Sequence, residues 1–155
     1  MIAIIDYDAG NMKSVEKAFQ YLNEDAVITR DRKAILEADR VVLPGVGAFG
    51  DAMERLHSYD LVETIQDAVK SGKPFLGICL GLQLLFDSSE ETPGVKGLGL
   101  LPGKILRIPA AEGLKIPHMG WNSIDIKEGS RLFEGIDRQV VYVFCTFLLS
   151  ESKES

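Results

Sequence analysis

The chain opens on Met1-Ile-Ala-Ile-Ile-Asp6, a nearly continuous apolar run of the kind that forms a strand buried on both faces. Tyr7 to Asn11, with Gly10, reads as a turn. Met12 to Leu22 then places Val15, Ala18, Phe19 and Leu22 at helical spacing on one stripe. Asp25 to Thr29 predicts a second strand, Arg32 to Ala38 a short polar helix, and Arg40 to Leu43 a third strand that stops at Pro44-Gly45-Val46-Gly47. Two helices are expected at Phe49 to Leu56 and Leu61 to Val69, with a break around His57 to Asp60 and a C-terminal stop at Ser71-Gly72-Lys73. Pro74 to Ile78 predicts a fourth buried strand. After Cys79, the positions of Leu80, Leu82, Leu84, Leu85 and Phe86 suggest a helix that buries much of its circumference.

From Ser88 the texture changes. Gly94, Gly97, Gly99, Pro102 and Gly103 punctuate a loop-rich stretch, and strands are expected at Lys104 to Ile108, Ser123 to Ile126 and Val140 to Phe147. No internal repeat or domain-sized linker interrupts this order. Strands alternating with helices, then a strand-rich half, predict one α/β domain with a mainly parallel sheet and a β-rich extension.

Composition narrows the function classes. A chain of 155 residues, 46% hydrophobic and 26% charged, has the make-up of a soluble globular domain rather than a disordered or fibrous one. Its net charge of -6 argues against a nucleic-acid or anionic-membrane surface, which needs clustered Lys and Arg. The most apolar stretch, Pro74 to Phe86, is too short to span a bilayer, and no basic segment precedes the first strand. A cytoplasmic location is the expectation. Two cysteines, Cys79 and Cys145, and two histidines make neither a disulfide framework nor a metal-ligand set, so no metal or cofactor is expected.

Gly77-Ile78-Cys79-Leu80-Gly81 has the G-x-nucleophile-x-G form between a predicted strand and a predicted helix. Turning from strand to helix within about a residue forces strained angles on the nucleophile, and side chains at the flanking positions would collide, hence glycine at both. A helix N-terminus beside the sulfur would favour thiolate over thiol. The bland alternative is a small buried cysteine between two packing glycines. Cys145, within the apolar run Val140 to Leu149, is read as structural.

The elbow, extended to Gly77-Ile-Cys-Leu-Gly-Leu-Gln83, resembles that of class I (triad) glutamine amidotransferases. Asp6-Tyr-Asp-Ala-Gly-Asn11, Leu43-Pro-Gly-Val-Gly-Ala-Phe49 and Pro117-His-Met-Gly-Trp-Asn122 narrow the likeness to the glutaminase subunits of imidazole glycerol phosphate synthase, in histidine biosynthesis. The resemblance implies a three-layer α/β fold, a mainly parallel sheet flanked by helices with a β-rich C-terminal part. It implies Cys79 as nucleophile, Val46, Gly47 and Leu80 as oxyanion donors, and Gly45 and Gln83 on the substrate glutamine. Asn11, Trp121 and Asn122 would face a (βα)8-barrel cyclase subunit, which receives the ammonia in a heterodimer. His118 is read as a hydrogen-bonded structural residue and His57 as a solvated surface one.

The family's base is a histidine in a His-Pro-Glu segment that this sequence does not contain. The likeness runs from Met1 to Tyr142, and residues 143–155 are read as an aberrant tail from a frameshift near codon 143. The sequence therefore leaves the family domain (1–142) incomplete, with glutaminase activity expected to be impaired. Two alternatives stay open: a non-catalytic subunit that docks and binds glutamine, and a class I amidotransferase of another pathway.

Overall fold

The computed structural model describes residues 1–8, 10–110, 113, 116, 118–136, 141–146 and 148–152; side chains are described for these except 118, 119, 132 and 141–152. Pro117, Val140 and Phe147, which entered the sequence reading, lie outside the described residues, as do the side chains of His118 and Cys145. The chain divides into two compact units, one of Met1–Leu106 with the chain end from Ser150, the other of Arg107–Leu149.

The first unit is built on a parallel sheet. Strands β1 (Ile2–Ile5), β2 (Ala26–Thr29), β3 (Arg40–Gly45) and β4 (Phe75–Cys79) lie in the order β2-β1-β3-β4. They alternate with helices α1 (Met12–Tyr21), α2 (Arg32–Glu37), α3 (Phe49–Ser58) and α4 (Leu61–Lys70). The apolar run of β1 is buried at all four positions, as the unbroken sequence pattern demands of a central strand covered on both faces. Alternate residues divide between two cores. Ala3, Ile5, Val41 and Leu43 pack with Phe49, Met53, Leu56, Leu61 and Ile65 of α3 and α4, whereas Ile2, Ile4 and Val42 meet Val15 and Phe19 of α1. Asp31 caps α2 by accepting from the Ala34 amide at 2.8 Å.

The helix after Cys79 departs from expectation. It is α5, Leu80–Gln83, a single turn of four residues. The buried leucines beyond it are held otherwise: the Leu98 amide donates to Leu84 O at 2.8 Å, and the Leu100 and Leu101 amides donate to Leu85 O at 2.8 and 2.9 Å. The apolar spacing thus reported burial rather than helix, since a returning loop satisfies these carbonyls as well as a further turn would.

Two short strands, β5 (Ser88–Ser89) and β6 (Gly103–Arg107), pair in parallel. In the second unit, β7 (His118–Ser123) runs antiparallel to β8 (Val141–Thr146), with Trp121 opposite Val143 and Asn122 opposite Tyr142. The strand expected at Ser123 to Ile126 therefore lies earlier, and a 3-10 turn follows at Arg131–Phe133. β7, His-Met-Gly-Trp-Asn-Ser, holds no β-branched residue to mark it, and its pairing with β8 supplies its hydrogen bonds. The last strand, β9 (Leu148–Ser152), joins the β5-β6 pair in the order β5-β6-β9.

Candidate active site at the carboxyl ends of β3 and β4

Cys79 is the last residue of β4 and immediately precedes α5. Its φ of 54° and ψ of -116° lie where L-residues rarely go, and its side chain is exposed. Both flanking glycines are required sterically. A β-carbon at Gly77 would come within 2.7 Å of Leu82 Cα, and one at Gly81 would overlap the Leu43 carbonyl. The strained elbow anticipated from the pentapeptide is thus present, and the reading of Cys79 as a buried packing residue does not hold. The expected help from a helix dipole is a correction: one turn aligns too few peptide units for a macrodipole, leaving local N–H groups. Among these, the Leu80 amide is the first of α5 and has no intrahelical acceptor.

Gly45 stands directly opposite Cys79 in the parallel register of β3 and β4. The glycine-rich segment after β3 therefore starts beside the thiol. Gly47 has a φ of 101°, a left-handed conformation that favours glycine. Val46 is half exposed, at 49%. Val46, Gly47 and Ala48 line a small cavity of about 80 Å³ with Tyr7, Asp51 and Arg55. Gln83 closes α5 and is half-buried.

Tyr7 escaped the sequence reading. It is 1% exposed, and its hydroxyl donates to Pro44 O at 2.7 Å. Burial pushes its phenol up to about 12; Arg55 opposes this rise and Cys79 adds to it. Nearby, Arg30 bridges Asp6 at 2.7 Å and Asp8 at 2.8 Å and lies 4.1 Å over the Tyr59 ring. Tyr59 donates to Asp8, and these hydrogen bonds, with that from Arg30, hold the Asp8 carboxyl below its ordinary value. The only available signal for this cluster was the Asp6-Tyr-Asp8 run at the carboxyl end of the first strand, the end where open parallel sheets gather functional groups.

The remaining candidates are dispersed. Asn11 caps α1 in a left-handed conformation, exposed and without a side-chain cap bond. Trp121 is 72% exposed on β7, and Asn122, half-buried, points to the opposite face because strand side chains alternate. His57 lies exposed in the last turn of α3, as expected of a surface residue. Among the described residues no group of His, Cys, Asp and Glu could hold a metal, and no helix is long and apolar enough to cross a membrane.

A cysteine on a strained strand-to-helix elbow, at the carboxyl edge of a parallel sheet and opposite a glycine-rich turn, defines an α/β protein with the layout of a thiol amide-hydrolase. The family model "Glutamine amidotransferase class-I" matches residues 3–145, and the chain belongs to that family. It is 49% identical over 154 residues to the "Imidazole glycerol phosphate synthase subunit HisH" of Methanothermobacter thermautotrophicus, covering 99% of this chain and 76% of that one. The protein of the same name from Syntrophotalea carbinolica is 47% identical, over 97% of this chain and 77% of that one. A solved glutamine amidotransferase shares the fold, with a TM-score of 0.65 at 16% identity, covering 95% of this chain and 71% of that one.

Proposed function

We propose that this chain is the glutaminase subunit of an imidazole glycerol phosphate synthase, acting in histidine biosynthesis in the cytoplasm. The observation that carries this reading is Cys79, strained and exposed opposite Gly45, in a chain 49% identical to a HisH subunit. The Cys79 sulfur attacks the side-chain amide carbon of glutamine, forming a carbon–sulfur bond. The carbonyl oxygen becomes an oxyanion, and the amides of Leu80, Val46 and Gly47 are its donors. Collapse breaks the carbon–nitrogen bond, and the nitrogen leaves as ammonia, carrying the proton that the thiol gave up. Water then cleaves the thioester, releasing glutamate and restoring the thiol. Gly45 and Gln83 hold the substrate, and the ammonia passes to a cyclase subunit docked through Asn11, Trp121 and Asn122.

A second reading has a specific observation in its favour. His57, the one imidazole among the described side chains, lies exposed in the last turn of α3. Without a base the chain would be a docking subunit that binds glutamine and does not turn it over, because loss of one member of a nucleophile–base unit costs on the order of 10³-fold or more.

The experiment is glutamate release from glutamine by this chain mixed with a cyclase subunit and its ligand, with Cys79→Ala as blank. Release well above the blank supports the glutaminase. Blank-level release with retained binding to the cyclase supports the docking subunit, and absence of both removes the assignment to this synthase.

A further inference from the structure

The turn that leads from β1 into α1 is strained and held from outside. Asp8 and Asn11 take left-handed backbone angles, φ 59° and φ 75°, which residues other than glycine rarely adopt. Such strain persists only where surrounding contacts fix it, and it gathers at functional sites. Helix α1 cannot fix the turn through the core, because it has no buried residue. Its link to the turn is the pair of bonds that the Ser14 and Val15 amides donate to Asn11 O, at 3.0 and 3.4 Å.

The other end of the turn is gripped by side chains. Arg30, just past β2, donates through one nitrogen to Asp6 Oδ2 at 2.7 Å and to Asp8 Oδ1 at 2.8 Å. Tyr59, the C-cap of α3, donates to the second carboxylate oxygen of Asp8, and Arg55 of α3 donates to the Asp8 carbonyl. The Arg30 guanidinium lies 4.1 Å over the Tyr59 ring, so the two donors to one carboxylate brace each other. An exposed ion pair by itself fixes little. Here three side chains from two parts of the chain converge on one residue, and α3 is anchored by buried Phe49, Ala52, Met53 and Leu56.

Asn11 stands exposed at the end of this turn, and its carboxamide makes no cap bond to α1. A group already presented in one conformation loses less freedom on binding than the same group on a loose turn. We propose that Arg30, Arg55 and Tyr59 are positioning residues for docking: their grip on Asp8 presets the turn that presents Asn11 to the cyclase subunit. This rests on reading Asn11 as part of the docking surface. The three act through Asn11 rather than by contact with the partner.

The test is titration calorimetry of the full chain with the cyclase subunit. It compares the wild type, Tyr59→Phe, Arg30→Gln and Asn11→Ala with the two double variants that add Asn11→Ala to each clamp substitution. Tyr59→Phe and Arg30→Gln are each expected to weaken binding about fivefold. In the Asn11→Ala background the same substitutions are expected to change affinity by less than about twofold, since the group they position is gone. A general structural role would weaken binding by the same factor in both backgrounds, and that result overturns the proposal. Wild-type affinity in folded Tyr59→Phe or Arg30→Gln overturns it too. Circular dichroism checks folding, and Tyr59→Phe, which deletes a single oxygen, keeps the test open should Arg30→Gln unfold. If Asn11→Ala binds as the wild type does, Asn11 leaves the docking surface and this inference falls with it. A wild-type chain that does not bind the cyclase instead removes the proposed docking itself.

Discussion

Gly81 of α5 lies against the main chain of Leu43 on β3, so close that a β-carbon on it would overlap the Leu43 carbonyl oxygen. This contact brings the elbow down onto the neighbouring strand, setting Cys79 opposite Gly45. The obstacle is backbone within a central strand, which cannot swing aside as a flexible side chain would. Gly81→Ala is therefore expected to destabilise the chain by about 3 kcal/mol or more. Chemical denaturation checks it, and a change within about 0.5 kcal/mol would mean that β3 and α5 separate easily.

Strain at the nucleophile has the opposite sign. Cys79 holds a φ of 54° and a ψ of -116° while its exposed side chain makes little core contact. Cys79→Gly is expected to raise stability by about 1 kcal/mol by relieving that conformation, while abolishing labelling by thiol reagents at the elbow. A lower melting temperature in Cys79→Gly would show that the elbow is held by contacts of the sulfur.

Alkaline stability should report Tyr7. Its native phenol is raised from 10.0 to about 12 by burial, so the native state retains a proton that the unfolded chain gives up. The resulting stabilisation is complete below about pH 10 and is lost as the pH rises toward about 12, on the order of 2 to 3 kcal/mol in all. Tyr7→Phe should remove that slope. Denaturant titrations from pH 8 to 11 provide the comparison, and parallel curves for the two chains would contradict it.

Acid stability should report Asp8 in the opposite direction. Its carboxyl is lowered from 3.8 by Tyr59 and Arg30, so its contribution is present above that value and declines as the pH falls through the native one. Asp8→Asn is expected to flatten stability against pH below about 4. Added salt should diminish the difference, since the carboxylate is exposed and its pairing with Arg30 is screened.

Trp121 should separate binding from folding. At 72% exposure its removal exposes little that is not already wet, so Trp121→Ala should melt as the wild type does. If the proposed cyclase docks there, affinity should fall about 30-fold, the loss typical of an aromatic anchor. Titration calorimetry with the cyclase measures this directly, and unchanged affinity would place the interface elsewhere.

The sequence by itself determined the order of strands and helices through α4, because a strand buried on both faces must be apolar throughout and an amphipathic helix must repeat its apolar positions. It also located the elbow, since Gly77, Cys79 and Gly81 are required by a local turn whose sterics are written in five consecutive residues. It misjudged the stretch after Gln83, where Leu84, Leu85 and Phe86 are buried in non-helical backbone. Apolar spacing records that a residue is inside, and here the returning loop of Leu98 to Leu101 decided how its backbone is paired. Only the tertiary structure brought Tyr7 to Pro44, Glu91 and Thr92 to the start of α3, and Arg30 between Asp6 and Asp8. Those partners lie 22 to 42 residues apart along the chain, and a hydrogen bond across such a separation follows from strand order and packing rather than from any local propensity.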